Sequence, residues 1–137
     1  MKVIYIAGKY RGPTPWAVEQ NIRAAEDVAA RVWALGMVAL CPHANSRHME
    51  GVTTDENFLA GTMELLRRCD AVVLVPNWRD SAGTLAEIAE ADRLGLPVFG
   101  RDGSVFRHPL DVAMDHLVAW WRATTSAAMG LPARGEA

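Results

Sequence analysis

Cysteine is scarce in this sequence: Cys41 and Cys69 are the only two in 137 residues. Two cysteines cannot build a disulfide framework, and their places beside apolar runs are typical of reduced thiols near strand ends. Long apolar runs are also lacking, since none approaches the length of a membrane span. The first apolar run stops at Gly8, with Lys9 and Arg11 behind it, which does not fit a signal peptide. We therefore expect a cytoplasmic protein with no membrane partner.

An excess of positive charge is lacking as well. The sequence holds 14 basic and 16 acidic residues, for a net charge of −2. A long nucleic-acid backbone is therefore not an expected partner, although a single nucleotide needs only one or two basic groups. Half of the residues are hydrophobic, and a chain of this length can bury a core without staples. We expect one domain over residues 1–129 and a flexible tail over residues 130–137.

Short apolar segments alternate with longer segments of helical periodicity. The alternation predicts right-handed βαβ units, and hence an α/β fold of the flavodoxin-like (Rossmann-like) kind. This is a three-layer sandwich around a parallel sheet of four or five strands. The predicted strands cover residues 3–7, 37–41, 71–75 and 97–99. The predicted helices cover residues 15–35 (after a Thr14 N-cap and before Gly36), 55–68, 84–94 and 110–125.

Three loops contain most of the polar side chains that could bind a ligand: residues 8–14, 42–53 and 76–83. Each follows a predicted strand. Ligands of open parallel sheets bind outside the carboxyl ends of the strands, where the strand order reverses. The loops therefore predict a binding site of nucleotide size at this edge of the sheet.

The first loop places Lys9 and Arg11 between Gly8 and Gly12. It lacks the spacing of a P-loop. The planar guanidinium of Arg11 suits phosphate oxygens. A tight turn with two solvated cations explains the same residues equally well.

The third loop leads into a helix through Ser81, Gly83 and Thr84, and Glu87 follows one turn later. Backbone amides at a helix N-terminus attract anions. Thr84 and Glu87 also have the spacing of a capping box, in which the carboxylate only binds a backbone amide. From spacing alone, the cap is the better supported of the two roles.

Other polar residues and one tryptophan leave alternatives open. Asp70 either satisfies turn amides or is a buried partner, and Trp78 is either a core plug or a platform for a base. His43, Asn45 and His48 offer donors and acceptors to a base edge. Cys41, His43 and His48 match no zinc spacing, so we expect neither a metal nor a cofactor.

Four motifs together resemble the nucleoside 2-deoxyribosyltransferase superfamily. They are Tyr5-Ile6-Ala7-Gly8-x-x-Arg11-Gly12, Cys41-Pro42-His43-x-Asn45, Arg68-Cys69-Asp70-Ala71 and Ser81-x-Gly83-Thr84-x-x-Glu87-x-x-x-Ala91. The resemblance spans about residues 2–100. It is strongest to small bacterial and phage members of unassigned function, near the nucleoside 5′-monophosphate N-glycosidases.

The resemblance implies roles for individual residues. Glu87 matches the nucleophilic carboxylate, Tyr5 the tyrosine that orients it, and Asp70 the acid that protonates the leaving base. Ser81, Gly83 and Arg11 match a site for the 5′-phosphate.

The expected function is hydrolysis of the N-glycosidic bond of a nucleoside 5′-monophosphate. Base exchange between deoxynucleosides, or nucleotide binding without catalysis, are the alternatives. The resemblance also implies a homo-oligomer, as does the apolar last helix with Trp120 and Trp121. Residues 101–108 are then expected near the partner's site, with Arg101 and Ser104 as candidates there.

Overall fold

Four parallel strands form one sheet within residues 1–102 and 106–130, the part of the chain that this computed structural model describes. They are β1 (Val3–Ala7), β2 (Val38–Leu40), β3 (Ala71–Leu74) and β4 (Val98–Phe99), in the order β2-β1-β3-β4. β1 pairs with β2 from Val3 opposite Val38, and with β3 from Ile4 opposite Ala71. β2 lies on one side of β1, and β3 and β4 lie on the other, so the strand order reverses between β1 and β3. The crevice for a ligand is expected at this topological switch point.

Helices cover both faces of this sheet. α1 (Pro15–Ala34) and α5 (Pro109–Ala128) pack on one face, and α3 (Asp55–Arg67) and α4 (Ala82–Leu94) pack on the other. A single-turn helix, α2 (Pro42–Asn45), and a 3₁₀ turn at Trp78–Asp80 lie in segments that the sequence predicted as loops. The three-layer flavodoxin-like fold is therefore confirmed, with four strands in the described residues.

Helix ends largely follow the local signals of the sequence. The Thr14 hydroxyl accepts a hydrogen bond from the Ala17 amide at 3.1 Å, and Pro15 opens α1 as predicted. Gly95 ends α4 in the left-handed region at φ 71°, where glycine is favoured. The start of α4 was predicted wrongly, because the helix begins at Ala82 rather than Thr84. None of the described helices is both long enough and apolar enough to cross a bilayer.

Gly8 brings the ends of the two central strands together. A Cβ at this position would lie 2.5 Å from Cγ2 of Val75, which is closer than packed atoms can approach. The Val75 amide also donates to the Ala7 carbonyl at 2.8 Å. The loop after β1 therefore leaves the sheet tight against the loop after β3.

Asp70 lies at the opposite edge of the sheet from this crevice. Its Oδ2 accepts a hydrogen bond from the Val3 amide at 2.7 Å, and its own amide donates to the Val3 carbonyl at 2.8 Å. The carboxyl end of β3 is about 16 Å away, at the rise of an extended chain. The predicted role of Asp70 as the acid beside the leaving base is therefore wrong. The residue anchors the amino end of β1 to β3.

The tryptophans of α5 are partly buried against the core of the single chain. Trp120 and Trp121 pack against the apolar cluster between α1, α5 and the sheet, and the ring of Trp120 lies 5.8 Å from that of Phe99. The apolar character of α5 therefore needs no second subunit. Arg101 binds Asp92 at 3.0 Å, while Ser104 and residues 131–137 of the expected tail lie outside the described residues.

The anchoring role of Asp70 predicts a loss of stability when its carboxylate is removed. Asp70→Ala leaves the Val3 amide without its acceptor and should lower the free energy of unfolding by about 1.5–3 kcal/mol. Denaturant unfolding measures this. Asp70→Asn keeps an acceptor oxygen and should retain most of the stability; equal stability of Asp70→Ala and the parent protein would contradict the anchor.

Candidate active site

A cavity of about 810 Å³ opens at the carboxyl edge of β1 and β3, between α3 and α4. Its walls combine residues from all three loops that the sequence singled out. Most predicted site residues line it: Tyr5, Gly8, Arg11, Gly12, His43, Ser81, Gly83 and Glu87. Its size suits a mononucleotide, since small-molecule sites span about 300–1,000 Å³.

The floor of the cavity holds the carboxyl of Glu87 beside the phenol of Tyr5. Tyr5 points from β1 into the layer of α3 and α4 and is 1% exposed. Burial raises the pKa of Glu87 to about 7, and the hydrogen bond from Tyr5 offsets part of that rise. Burial and the charge of Glu87 likewise raise the pKa of Tyr5, so its hydroxyl keeps its proton. The pair is a carboxylate oriented by a permanent donor.

Glu87 does not cap its helix. The N-cap of α4 is Ser81, whose Oγ accepts hydrogen bonds from the Thr84 amide at 3.2 Å and from the Thr84 hydroxyl at 2.9 Å. Thr84 is thus inside the first turn, and Glu87 lies one turn further along. The capping box of Thr84 and Glu87, which the spacing favoured, is therefore wrong. The cap leaves the Glu87 carboxyl available for chemistry.

Thr62 of α3 is a floor residue that the sequence analysis missed. Its hydroxyl makes a hydrogen bond with Tyr5, and its side chain lines the cavity. Asp55, Phe58 and Thr62 line the same wall of the cavity and follow the spacing of one helix face. That spacing was the signal that could have found them.

Each of three consecutive residues in the loop after β1 binds an acidic side chain from a distant segment of the chain. The contacts are Lys9 with Asp80 at 2.9 Å, Tyr10 with Glu50 at 2.6 Å and Arg11 with Asp55 at 3.2 Å. The hydrogen bond from Tyr10 lowers the pKa of Glu50, and Lys9 lowers that of Asp80. Both acids are therefore carboxylates at neutral pH. These contacts arrange six charged or polar side chains around the mouth of the cavity.

The cation beside the start of α4 is Lys9 rather than Arg11. Lys9 reaches Asp80, which immediately precedes the N-cap Ser81, whereas Arg11 reaches Asp55 at the start of α3. The Arg11–Asp55 pair is largely exposed, and such pairs contribute little free energy. Arg11 is thus free to change partner when an anion enters, and Lys9 adds to the anion site that the sequence predicted.

His43 positions the first loop. Its Nε2 lies 3.1 Å and 3.2 Å from the carbonyl oxygens of Gly8 and Lys9, so Nε2 carries the proton and donates it to them. Burial lowers the pKa of His43 and keeps the ring neutral. Its Nδ1 is buried and has no hydrogen-bond partner among the described residues. The ring is therefore a hydrogen-bonding brace beneath the loop.

Two predicted binding residues lie outside this cavity. Asn45 ends α2 and lines a separate shallow groove with Trp33. Trp78 packs against the apolar cluster between α3, α4 and the sheet, with the Arg79 guanidinium 4.7 Å from its ring centre. Of the two predicted roles of Trp78, packing against the core is therefore the one observed, and stacking on a base is not. Across residues 1–102 and 106–130, no three His, Cys, Asp or Glu side chains are grouped to hold a metal ion.

An open parallel α/β sheet with a half-buried glutamate where the strand order reverses is a common arrangement for a site that binds a small molecule. Among proteins with this arrangement, the chain belongs to the family described as a domain of unknown function, DUF4406, whose model matches residues 2–100. A comparison with curated proteins found no match.

Two solved structures share the fold. One is a 2-deoxyribosyltransferase from Leishmania mexicana, with 24% identity, a TM-score of 0.51 and coverage of 72% of this chain and 63% of that one. This chain thus spans less than two thirds of that protein. The other is the 2-deoxyribosyltransferase of the psychrotolerant bacterium Bacillus psychrosaccharolyticus, with 19% identity, a TM-score of 0.53 and coverage of 76% and 78%. The fold expected from the motifs is confirmed.

The raised pKa of Glu87 predicts how stability depends on pH. A carboxyl whose pKa is higher in the folded than in the unfolded state makes its full contribution to stability when the pH is below its pKa in the unfolded chain, near 4.5. That contribution is lost as the pH rises through about 7. Glu87→Gln should therefore be more stable than the parent protein at pH 8, by on the order of 3 kcal/mol, and similar at pH 4.

Thermal unfolding at both pH values measures this difference. Glu90→Gln is a control whose effect on stability should have the opposite sign, because Arg93 and Arg67 lower the pKa of Glu90 to about 2. Removing that charge should destabilise the protein at neutral pH. A stability difference for Glu87→Gln that is the same at pH 4 and pH 8 would contradict the burial of an ionisable carboxyl.

Proposed function

We propose that this protein hydrolyses the N-glycosidic bond of a nucleoside 5′-monophosphate, with Glu87 as the nucleophile. The observation that supports this most strongly is the Glu87 carboxyl itself: half-buried on the cavity floor, oriented by Tyr5 and not used as a helix cap. Cleavage of an N-glycosidic bond passes through an oxocarbenium-like state, which a carboxylate beneath the sugar traps as an ester. The fold shared with deoxyribosyltransferases agrees with this chemistry.

The reaction takes two displacements. The Glu87 carboxylate attacks the anomeric carbon as the carbon–nitrogen bond breaks, and the electron pair of that bond goes to the base. Water then attacks the same carbon and releases Glu87 as a carboxylate, and the proton that the water loses balances the proton that an anionic leaving base takes up from solvent. Tyr5 donates to the carboxylate oxygen and fixes its direction of attack, which is the positioning that lowers the barrier.

The phosphate is proposed to bind at the start of α4. The backbone amides around Ser81 and Gly83 provide the anion site, and a Cβ on Gly83 would meet no atom within 4 Å, which leaves this side of the cavity open. Lys9 lies beside it through Asp80, and Arg11 lines the same cavity. The N-cap Ser81 lies about 9 Å from Glu87 along the axis of α4, which leaves room for the sugar between phosphate and nucleophile.

Base exchange is the second candidate. The shared fold favours it, since both solved structures that we compare bear the name of deoxyribosyltransferases. Incubation with a mononucleotide, with and without an added acceptor base, separates the two reactions. Free base without an acceptor indicates hydrolysis, and product formed only with the acceptor indicates exchange. Tight nucleotide binding without either product would instead favour a binding module.

Glu87 and Tyr5 predict the pH dependence of the reaction. Base release should rise with pH through about 7 as Glu87 ionises, and Glu87→Ala should abolish it in a folded protein. Tyr5→Phe removes the hydrogen bond that lowers the pKa of Glu87, so the rise should move to higher pH. Chromatography of free base from pH 5 to 9 measures both effects. Full turnover in Glu87→Ala would exclude this residue as the nucleophile.

Removal of a phosphate-binding cation should affect nucleotides more than nucleosides. Lys9→Met and Arg11→Met should each lower kcat/KM for a monophosphate by about 10- to 100-fold, the value of one charge-assisted hydrogen bond. The matching nucleoside should lose far less. Arg68→Met, an exposed arginine that pairs with Glu64 on α3, is the control. An equal loss for nucleotide and nucleoside would mean that Lys9 and Arg11 are structural.

We further propose a cytoplasmic homo-oligomer, at least a dimer, on the resemblance and on the reduced cysteines alone. The packing of Trp120 and Trp121 within one chain removes the apolar last helix as support for the oligomer. Residues 101–108 remain the segment proposed to approach a partner's site.

A further inference from the structure

A base that leaves as an anion needs a proton, whereas a base that leaves as a neutral molecule does not. The cavity residues that the structure describes offer no acid in position to supply that proton. Asp70, the acid expected from the sequence, lies at the other edge of the sheet. Besides Glu87, Tyr5 interacts with the Thr62 hydroxyl, which lines the cavity, and with the thiol of Cys69, which does not line it. Burial raises the pKa of Cys69 to about 11, so neither group is an acid at neutral pH.

His43 and Tyr10, which also line the cavity, are poor proton donors. The Nε2 proton of His43 is engaged by two carbonyl oxygens, and burial lowers the pKa of the ring. Burial and the hydrogen bond to Glu50 raise the pKa of Tyr10 to about 12. Among the cavity-lining residues that the structure describes, Glu87 has the pKa of an acid–base catalyst, and the proposed reaction uses it as the nucleophile.

The cavity is also acidic. Glu50, Asp55, Asp80 and Glu87 face it, against Lys9 and Arg11. A nucleotide with a neutral base would bring the full negative charge of its phosphate into this cavity, whereas a positively charged base would offset about one unit of that charge.

The acids near the mouth lie along the path that a base would follow. Asp55 and Thr62 are about 10 Å apart on one wall of α3, with Phe58 between them. A sugar above Glu87 and Thr62 therefore directs its base along Phe58 toward Asp55 and Glu50. Aromatic faces and carboxylates are the groups that recognise an organic cation.

We propose that the preferred substrate carries a cationic base, either a pyridinium-type ring or an N-alkylated purine. The inference rests on the proposed function. When Glu87 bonds to the anomeric carbon, the breaking bond returns its electron pair to a positively charged ring nitrogen. The base then leaves as a neutral molecule without a proton. Water completes the hydrolysis: its oxygen bonds to the anomeric carbon, its proton goes to solvent, and Glu87 returns as a carboxylate.

A matched pair of substrates tests this. Guanosine 5′-monophosphate and its N7-methyl derivative share one ring system and differ by one fixed positive charge. Nicotinamide mononucleotide serves as the pyridinium probe. Base release is measured for all three, and each rate is divided by its rate without enzyme, since cationic bases also leave faster in water. After this correction, kcat/KM should be at least about 100-fold higher for the two cationic substrates. General acid catalysis usually accelerates a reaction by at least this factor, and the neutral substrate is expected to lack that acceleration here.

Two variants identify the groups that select the charge. Glu50→Gln and Asp55→Asn should each reduce the ratio of corrected kcat/KM, cationic over neutral, by about fivefold, which is the upper range for one exposed charge. Glu64→Gln, on the outer side of α3 with Arg68, should leave the ratio unchanged. A ratio equal in all four proteins would overturn the role of these carboxylates.

The outcomes for the two proposals differ. Equal or faster corrected release from guanosine 5′-monophosphate would overturn the cationic preference and leave the proposed function intact. Absence of base from all three nucleotides, in a protein whose fold is verified by circular dichroism, would overturn the proposed function itself.

Discussion

The burial of one carboxyl group is the constraint on which the site depends. Moving a carboxylate out of water costs several kcal/mol unless partners compensate for the lost hydration. The Tyr5 phenol donates a hydrogen bond to Glu87 and compensates for part of the lost hydration. The uncompensated part raises the pKa of Glu87 to about 7. The carboxyl therefore ionises in the range where a nucleophile is useful.

Strand order and one glycine create the burial. β1 and β3 lie side by side at the centre of the sheet, and the close approach at Gly8 lets their loops leave the sheet together. α4 then starts beside the first loop, capped by Ser81, and carries Glu87 over the ring of Tyr5. The His43 brace holds the first loop through the Gly8 and Lys9 carbonyls. The anion site at the start of α4 and the carboxyl one turn beyond are thus parts of one rigid element.

Most of the fold could be predicted from the sequence, because short apolar strands and amphipathic helices follow local periodicity. The site was harder, because local signals overlap and long-range contacts decide between them. Ser81 and Thr84 are both good N-caps three residues apart, and only the packing of α4 selects the first. Asp70 precedes a predicted strand, and this order alone places it at the amino edge of the sheet. The motif resemblance pointed instead to the carboxyl edge, where the leaving base is expected. The pairings of Lys9, Tyr10 and Arg11 with acids 40 or more residues away leave no local trace.

The stereochemistry of transfer to methanol tests the central claim most directly. Two displacements at one carbon, with Glu87 as the intermediate nucleophile, retain the configuration of the anomeric carbon. The methyl glycoside formed in the presence of methanol cannot equilibrate between anomers, so its proton spectrum records the outcome. The account predicts the methyl glycoside of the same anomeric configuration as the substrate. The opposite anomer would show direct attack by the acceptor and would contradict Glu87 as the nucleophile.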